Sequence, residues 1–379
     1  PAARCYIYMD AEGLLMNRTH KFRQGLLLAL AMFTAVLVFA APQRCADALH
    51  AGLVLCGGPL LVSLFPFLIV SALLMGCGAG PLLGFAFQPA AYIIGVRAKA
   101  AGSVLLIGFL GGFAPAAAAA AQAVRTGQLT PRQASALLPA CVCSGPSFVI
   151  LTVGEQMLGS RALGVRLFAA QLLAGYLTAA VLCRMQGGAG QCLSTKTEDI
   201  PLPTLDAVVA QAAVTYLKLC GFVLYFRLLA AGAETLLPKP WSVLPAMLLE
   251  VCSGCDCASR TGLWASTLCC AALSMQGASV LLQVRTICPP EVSLEPLLVA
   301  RVLHLPLSLS LFWLVVPGTE QAVQAFSTLS GRVVVMHRVP LDCALLAFAV
   351  CCITVAELQK GCSGQCGALH DQHKKTAAR

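Results

Sequence analysis

Several apolar runs in this chain are long enough to cross a lipid bilayer as α-helices. Residues 25–41 read GLLLALAMFTAVLVFAA, and comparable runs cover residues 162–182, 296–316 and 341–355. A helix needs about 17 to 25 such residues to cross the hydrocarbon, and these runs approach or reach that length. Only 11% of the 379 residues are charged, whereas a soluble domain averages about 25%. The sequence therefore predicts an all-α, polytopic membrane protein whose first partner is the lipid bilayer.

The distribution of charge predicts an orientation in the membrane. Lys and Arg number 25 against 16 Asp and Glu, a net charge of +9. Arg18, Lys21 and Arg23 precede the first apolar run, and further basic residues follow the last one. Because cytoplasmic segments are enriched in Lys and Arg, both termini are predicted to be cytoplasmic, with an even number of crossings. The same surplus would also attract an anionic solute, and no nucleic acid is expected as a partner.

Polar and small residues interrupt two of the apolar segments in a similar way. Residues 144–147 read SGPS and residues 276–279 read QGAS, and an apolar run follows each tetrad at once. Breaks at corresponding places in two halves of a chain are typical of transporters built from internal repeats, where they point to the binding site. The sequence therefore predicts two repeats with broken or re-entrant helices.

Further helix breaks are predicted upstream of each tetrad. Gly111, Gly112 and Pro115 interrupt the run GFLGGFAPAAAAAA, and Gly254 in LLEVCSGC is aligned opposite Gly112. Two other apolar segments, residues 42–58 and 82–95, are too short or too interrupted to span. They are expected to be interfacial or half-helices.

These features divide the chain into eight segments. The chain begins at Pro1, but residues 16–25 read like the start of a membrane protein, so residues 1–15 are expected to have no structural role. The predicted segments are a cytoplasmic N-terminal segment (1–24), a first transmembrane helix (25–42), a first repeat (43–183), a polar inter-repeat loop (184–204), a second repeat (205–318), a loop (319–340), a last transmembrane helix (341–357) and a basic tail (358–379).

Five stretches of the chain, in order and spacing, resemble a known family. They are residues 63–78, 108–138, 143–159, 248–255 and 273–284. The sequence is similar there to sporulation integral membrane proteins of the YlbJ type, which carry two nucleoside-recognition (Gate) domains related to those of nucleoside transporters and of the ferrous-iron transporter. The resemblance implies two inverted Gate-type repeats. It also implies a role in endospore formation, with dipicolinate delivered across the membrane that surrounds the forespore. In relatives a proline directly follows the aromatic residue of the second stretch and a lysine lies a few positions on, where this chain has Ala114 and Ala118.

The broken segments supply the candidate site. A break in hydrocarbon leaves backbone groups unpaired, so it persists where protein or water supplies partners. Hydroxyl and amide side chains beside the breaks can then bind a solute, or serine hydroxyls can repair a simple proline kink. The predicted solute-binding residues are Ser144, Gly145, Pro146, Ser147, Gln276, Gly277 and Ser279.

Charged residues within apolar surroundings are the second group of candidates. Glu250 is expected to bind a proton or coupling ion, or else to lie at an interfacial helix end. Arg227 and Arg285 could attract an anion, although both could also snorkel to the interface. Asp256 and Arg260 are one helical turn apart and are expected to pair.

No enzyme signature or cofactor motif is present. The sequence has no phosphate-binding glycine loop and no hydrolase constellation, so it is not expected to be an enzyme, and a gradient would have to drive transport. The spacings of Cys252, Cys255 and Cys257, and of Cys and His at residues 362–373, match no established zinc pattern, so no metal is assigned. The expected partner is a small solute, dicarboxylate or nucleoside-like, with a homo-oligomer possible. The alternatives are a nucleoside-type transporter and a non-transporting scaffold for spore-envelope assembly.

Overall fold

The computed structural model describes residues 24–77, 82, 84–187, 204–237 and 241–316. All regular secondary structure in these residues is helical. The segments predicted for residues 1–23 and 317–379, and most of the inter-repeat loop, lie outside the described residues. The α-helices are α1 (Gln24–Ala40), α2 (Pro42–Leu55), α3 (Leu61–Gly76), α4 (Gln88–Ile94), α5 (Ala100–Gly111), α6 (Phe113–Arg125), α7 (Pro131–Cys141), α8 (Arg161–Met185), α9 (Leu205–Leu236), α10 (Val243–Leu249), α11 (Val251–Ser259), α12 (Ala265–Met275), α13 (Gly277–Ile287) and α14 (Glu295–Val315). A π turn (Cys56–Leu60), a π helix (Ser147–Met157) and two 3-10 turns (Gly84–Phe87 and Gly262–Trp264) complete the described elements.

Four helical stretches in the described residues are long and apolar enough to cross a membrane. They are α8, α9, α14 and the broken helix Gly262–Ile287, and a fifth results if α1 and α2, bent by 108°, form one span. Their outer faces carry exposed apolar side chains such as Val302 and Leu314, as a lipid-facing surface requires. The expectation of an all-helical fold is confirmed for this part of the chain, and its long apolar helices, which include the runs at residues 162–182 and 296–316, are consistent with a multi-pass membrane protein.

The order of elements recurs in the two halves of the described chain. The first hairpin, residues 100–157, contains α5, a break, α6, a turn, α7, a second break and the π helix, and α8 follows it. The second hairpin, residues 243–287, contains α10, a break, α11, a turn, α12, a second break and α13, and α14 follows it. Each of these two segments is called a hairpin here because a turn joins its two helical arms, and one break divides each arm into two helices.

In the first hairpin the two breaks are in direct backbone contact. Gly112 has φ +81° and ψ −161°, a conformation that favours glycine. A Cβ atom on Gly112 would lie 2.6 Å from the Gly145 nitrogen. Pro115 lies in the first turn of α6, where its missing N–H costs little. The predicted breaks around residues 111–115 and 144–147 are therefore observed, and they contact each other.

The second hairpin repeats this contact with different residues. Its first break is at Glu250, whose backbone is extended, and its second is at Gln276 and Gly277, which have positive φ angles of 63° and 72°. A Cβ atom on Gly277 would lie 2.9 Å from the Glu250 nitrogen. As in the first hairpin, a glycine allows the two breaks to touch.

The structure corrects the break predicted at Gly254. That residue lies inside α11, and the break is four residues earlier, at Glu250. A Cβ atom on Gly254 would lie 2.7 Å from the Cα atom of Met247. Gly254 therefore allows α11 to pack closely on α10, and Glu250 stands at the first break of this hairpin, as Gly112 does in the first hairpin.

The contact between breaks predicts a large effect for Gly112→Ala. The substitution places a side chain in a strained backbone conformation and against Gly145, so we expect it to lower the free energy of unfolding by about 1–3 kcal/mol. Gly221→Ala is the matched control, because no atom lies within 4 Å of a Cβ at that position in α9. Thermal unfolding of the detergent-solubilised protein measures both, and equal midpoints would contradict the contact.

Candidate functional site

A cavity lies between the two hairpins, at the level of their breaks. It is partly open, and most of the residues that line it are apolar. Its walls come from the π turn, α3, both breaks of the first hairpin, α9, the Glu250 break and α13. Four of the predicted residues line it: Gly111, Ser144, Gly145 and Glu250. The breaks of both hairpins therefore contribute to one space.

The first-hairpin wall carries an unpaired hydroxyl. Ser144 is 7% exposed and lines the cavity. Among the residues that the structure describes, its hydroxyl makes no hydrogen bond. Gly111 at the end of α5 and Phe113 at the start of α6 also line the cavity, and Phe148 adds an aromatic ring. This wall can donate hydrogen bonds to a ligand from a side chain and from the backbone.

The second-hairpin wall carries a carboxylate. Glu250 is 1% exposed, and its Oε1 accepts a hydrogen bond from the Cys252 N–H at 2.8 Å while its Oε2 accepts one from the Ser253 N–H at 2.6 Å. The side chain therefore caps the helix that its own break begins and pairs two of its orphan donors. Each oxygen has further acceptor capacity. Glu250 thus lies at a helix end with its side chain buried.

Ser279 acts on the cavity through a neighbour. It is completely buried, and its hydroxyl accepts a hydrogen bond of 2.8 Å from Nε2 of Gln283, one turn later on α13. Gln283 lines the cavity, with its amide fixed in orientation by this bond. The remaining predicted residues shape the breaks and are not part of the lining; they are Gly112, Pro115, Pro146, Ser147, Gln276 and Gly277.

Helix α9 and the π turn also contribute to the cavity, which the sequence pattern did not indicate. Tyr216 lines the cavity, and its hydroxyl donates a hydrogen bond to the Cys56 carbonyl oxygen. The thiols of Cys56, Cys220 and Cys252 belong to residues that line the same space. The sequence CGGP at residues 56–59 is the signal for the interrupted helix here, since Gly and Pro disfavour a regular helix.

A buried arginine joins the two hairpins on the side of α14. Nη2 of Arg301 donates to the Val142 carbonyl, and Nη1 donates to the Ser274 carbonyl at 3.4 Å. These carbonyls lie at the C-terminal ends of α7 and α12, where the helix dipole is negative. Gln171 on α8 donates to the Ser274 hydroxyl at 2.9 Å, and His304 contacts the Gln171 carbonyl at 3.0 Å. The polar spacing at residues 301, 304 and 308 on one face of α14 could have signalled this network.

The other charged candidates lie outside the cavity. Arg260 binds both oxygens of Asp256, at 2.8 and 2.9 Å, which confirms the expected pair and raises the pKa of Arg260 above its ordinary value. Arg227 lies 3.6 Å from the same carboxylate. Arg285 donates to the Val292 carbonyl at 2.9 Å. None of these side chains lines the described cavity.

The cysteines of the described residues do not form a metal centre. No group of three or more His, Cys, Asp or Glu side chains in this part of the chain is placed to bind a metal ion. Cys252, Cys255 and Cys257 are free thiols. The Cys and His residues at positions 362–373 lie outside the described residues.

Comparison with known proteins finds no matching family model, no matching curated protein and no matching solved structure. What the site does must therefore be argued from its own geometry.

The cap formed by Glu250 predicts a specific loss of stability. Glu250→Ala leaves two buried N–H groups unpaired, so we expect the free energy of unfolding to fall by about 1–3 kcal/mol. Ser253→Ala is the control, because its buried hydroxyl has no partner among the described residues and its removal should change the value by less than about 0.5 kcal/mol. Thermal unfolding in detergent compares the two, and a larger loss for Ser253→Ala would refute the cap.

Proposed function

We propose that this protein transports a small polar solute across a membrane through the cavity between its two hairpins. The observation that carries the proposal is that both hairpins contribute a break to one cavity, among helices that are long and apolar enough to cross a membrane. Unpaired backbone groups in hydrocarbon cost several kcal/mol each, so helix breaks at membrane depth are retained where they line a cavity or are buried in protein.

The recurring order of elements supports a duplicated architecture. Each half supplies a hairpin with two breaks in contact, followed by a long apolar helix. Two Gate-type repeats of inverted orientation would place the two hairpins on opposite sides of one solute site. Alternating access would then move one hairpin relative to the other around that site.

Glu250 is the proposed coupling group. It lines the cavity and holds the start of α11 through two N–H bonds. A proton or cation that binds the carboxylate from the cavity weakens its hold on these donors. Ion binding and movement of the second hairpin are linked in this way, so a gradient can drive transport.

The resemblance to the sporulation family directs the choice of solute and setting. On that basis dipicolinate, moved toward the developing spore across the membrane around the forespore, is the first candidate. A nucleoside-like solute is the second, because aromatic side chains of Phe113, Phe148 and Tyr216 line the cavity and no Lys or Arg lines it within the described residues. A scaffold without transport is the rival function, and it requires no solute to move.

Uptake into proteoliposomes tests the proposal. The purified full chain, reconstituted with an imposed proton or sodium gradient, is expected to accumulate labelled dipicolinate or labelled uridine. Gln283→Leu removes an amide from the cavity wall and should reduce uptake about tenfold, since the unmade hydrogen bond costs ~1–3 kcal/mol.

Gln156→Leu is the matched control, because it makes the same chemical change at an exposed position outside the cavity lining. If the two folded variants take up the solute equally, the solute does not pass through this cavity. If the wild-type protein moves no solute from a broad panel of small polar molecules under either gradient, the scaffold function replaces transport.

A further inference from the structure

The two walls of the cavity have opposite polarity. On the second-hairpin side lies the Glu250 carboxylate, and on the first-hairpin side lies the start of α6, which reaches the cavity at Phe113. The start of a helix carries a partial positive charge of roughly half an elementary charge. No Lys or Arg side chain is part of the described lining. The positive charge of this wall therefore comes from backbone N–H groups at the start of α6 and not from a side chain.

The start of α6 corresponds to the start of α11 in the order of elements. In the second hairpin, the carboxylate of Glu250 occupies the first break and accepts from two N–H groups of α11. The equivalent residue of the first hairpin is Gly112, and no side chain caps α6. A side chain cannot be accommodated there, because its Cβ would lie 2.6 Å from the Gly145 nitrogen. A carboxylate that binds the start of α6 in the way that Glu250 binds α11 would therefore have to belong to a ligand.

Ser144 provides an independent indication that a ligand binds at this wall. Its hydroxyl lines the same cavity as the start of α6, is nine-tenths buried and has no hydrogen-bond partner in the described part of the chain. Because this hydroxyl belongs to a lining residue, it is free to bond a ligand in the cavity. A carboxylate at the start of α6 would accept from this hydroxyl and from the N–H groups of Phe113 and Ala114, since the third residue of α6, Pro115, has no N–H to donate.

We infer that the cavity binds a small zwitterion, an amino-acid-like solute whose carboxylate lies at the start of α6 beside Ser144 and whose ammonium group faces Glu250. This inference rests on the proposed transport function and names the substrate class of the same site. The charge pattern of the cavity thus ranks a zwitterion above the dicarboxylate that the family resemblance suggests, because the second carboxylate would face Glu250. Most of the remaining wall is apolar, with Leu60, Leu64 and Val223 among its residues, so the solute carries an apolar side chain, as leucine does.

Binding to the full chain in lipid nanodiscs tests the charge pattern. Labelled leucine is the probe, and three unlabelled analogues compete with it: 4-methylpentanoate, which lacks the ammonium group, 3-methylbutylamine, which lacks the carboxylate, and dipicolinate. Leucine is expected to compete at least about tenfold better than each of the three, a difference of ~1.4 kcal/mol. Equal or better competition by dipicolinate would overturn the zwitterion.

A charge substitution at Ser144 gives a readout that misfolding cannot produce. Ser144→Asp supplies a carboxylate at the start of α6, so leucine binding should fall about tenfold or more while binding of labelled 3-methylbutylamine rises. Ser144→Asn has nearly the same size without the charge and should show no gain in amine binding. If Ser144→Asp binds leucine like the wild type, or if both variants bind the amine equally, the assigned position of the carboxylate is wrong.

The inference and the proposed function can fail separately. Uptake of dipicolinate or uridine into proteoliposomes, without detectable leucine binding, would overturn the zwitterion and leave transport through the cavity intact. Absence of both uptake and binding for every solute would overturn the two together. Leucine binding with the expected order of analogues supports both.

Discussion

The need to satisfy backbone hydrogen bonds in hydrocarbon governs this structure. A broken helix exposes N–H and C=O groups that lipid cannot pair, and each hairpin responds by packing its two breaks against each other. Gly112 against Gly145, and Gly277 against Glu250, bring main chain to main chain at distances that no additional carbon atom would allow. The cavity then forms where the paired breaks of the two hairpins face each other. Its position follows from the breaks, and its polar groups are those that the breaks expose.

Arg301 shows how the opposite ends of the broken helices are stabilised. Its guanidinium donates to carbonyls at the ends of α7 and α12, which belong to different hairpins. No carboxylate within the described residues pairs with it, so the negative ends of two helix dipoles take that role. Gln171 and His304 extend this polar contact to α8. One side chain of α14 thus connects both hairpins, which makes their relative position sensitive to that helix.

Much of the fold could be predicted from the sequence, because long apolar runs and Gly-Pro interruptions act locally. The break at Glu250 could not be placed, since the glycine at position 254 is the stronger local signal and a carboxylate that caps its own helix is visible only once the break is known. Ser279 was expected at the cavity but supports Gln283, because the rotation of α13 decides which face points inward. The role of Arg301 depends on a carbonyl 159 residues away. Transport, the repeats and the solute stay predictions.

The first break of each hairpin carries a different residue, and this difference gives the cavity one negative and one positive wall. With a carboxylate at both, each helix start would be neutralised by its own chain, and the cavity would offer a ligand two negative side chains. With glycine at both, two positive helix ends would face one space, an arrangement that favours a dianion. Glu250 in one hairpin and Gly112 in the other leave one wall negative and one positive. The polarity of the cavity therefore depends on one residue at which the two halves differ, and a solute would be oriented by that difference.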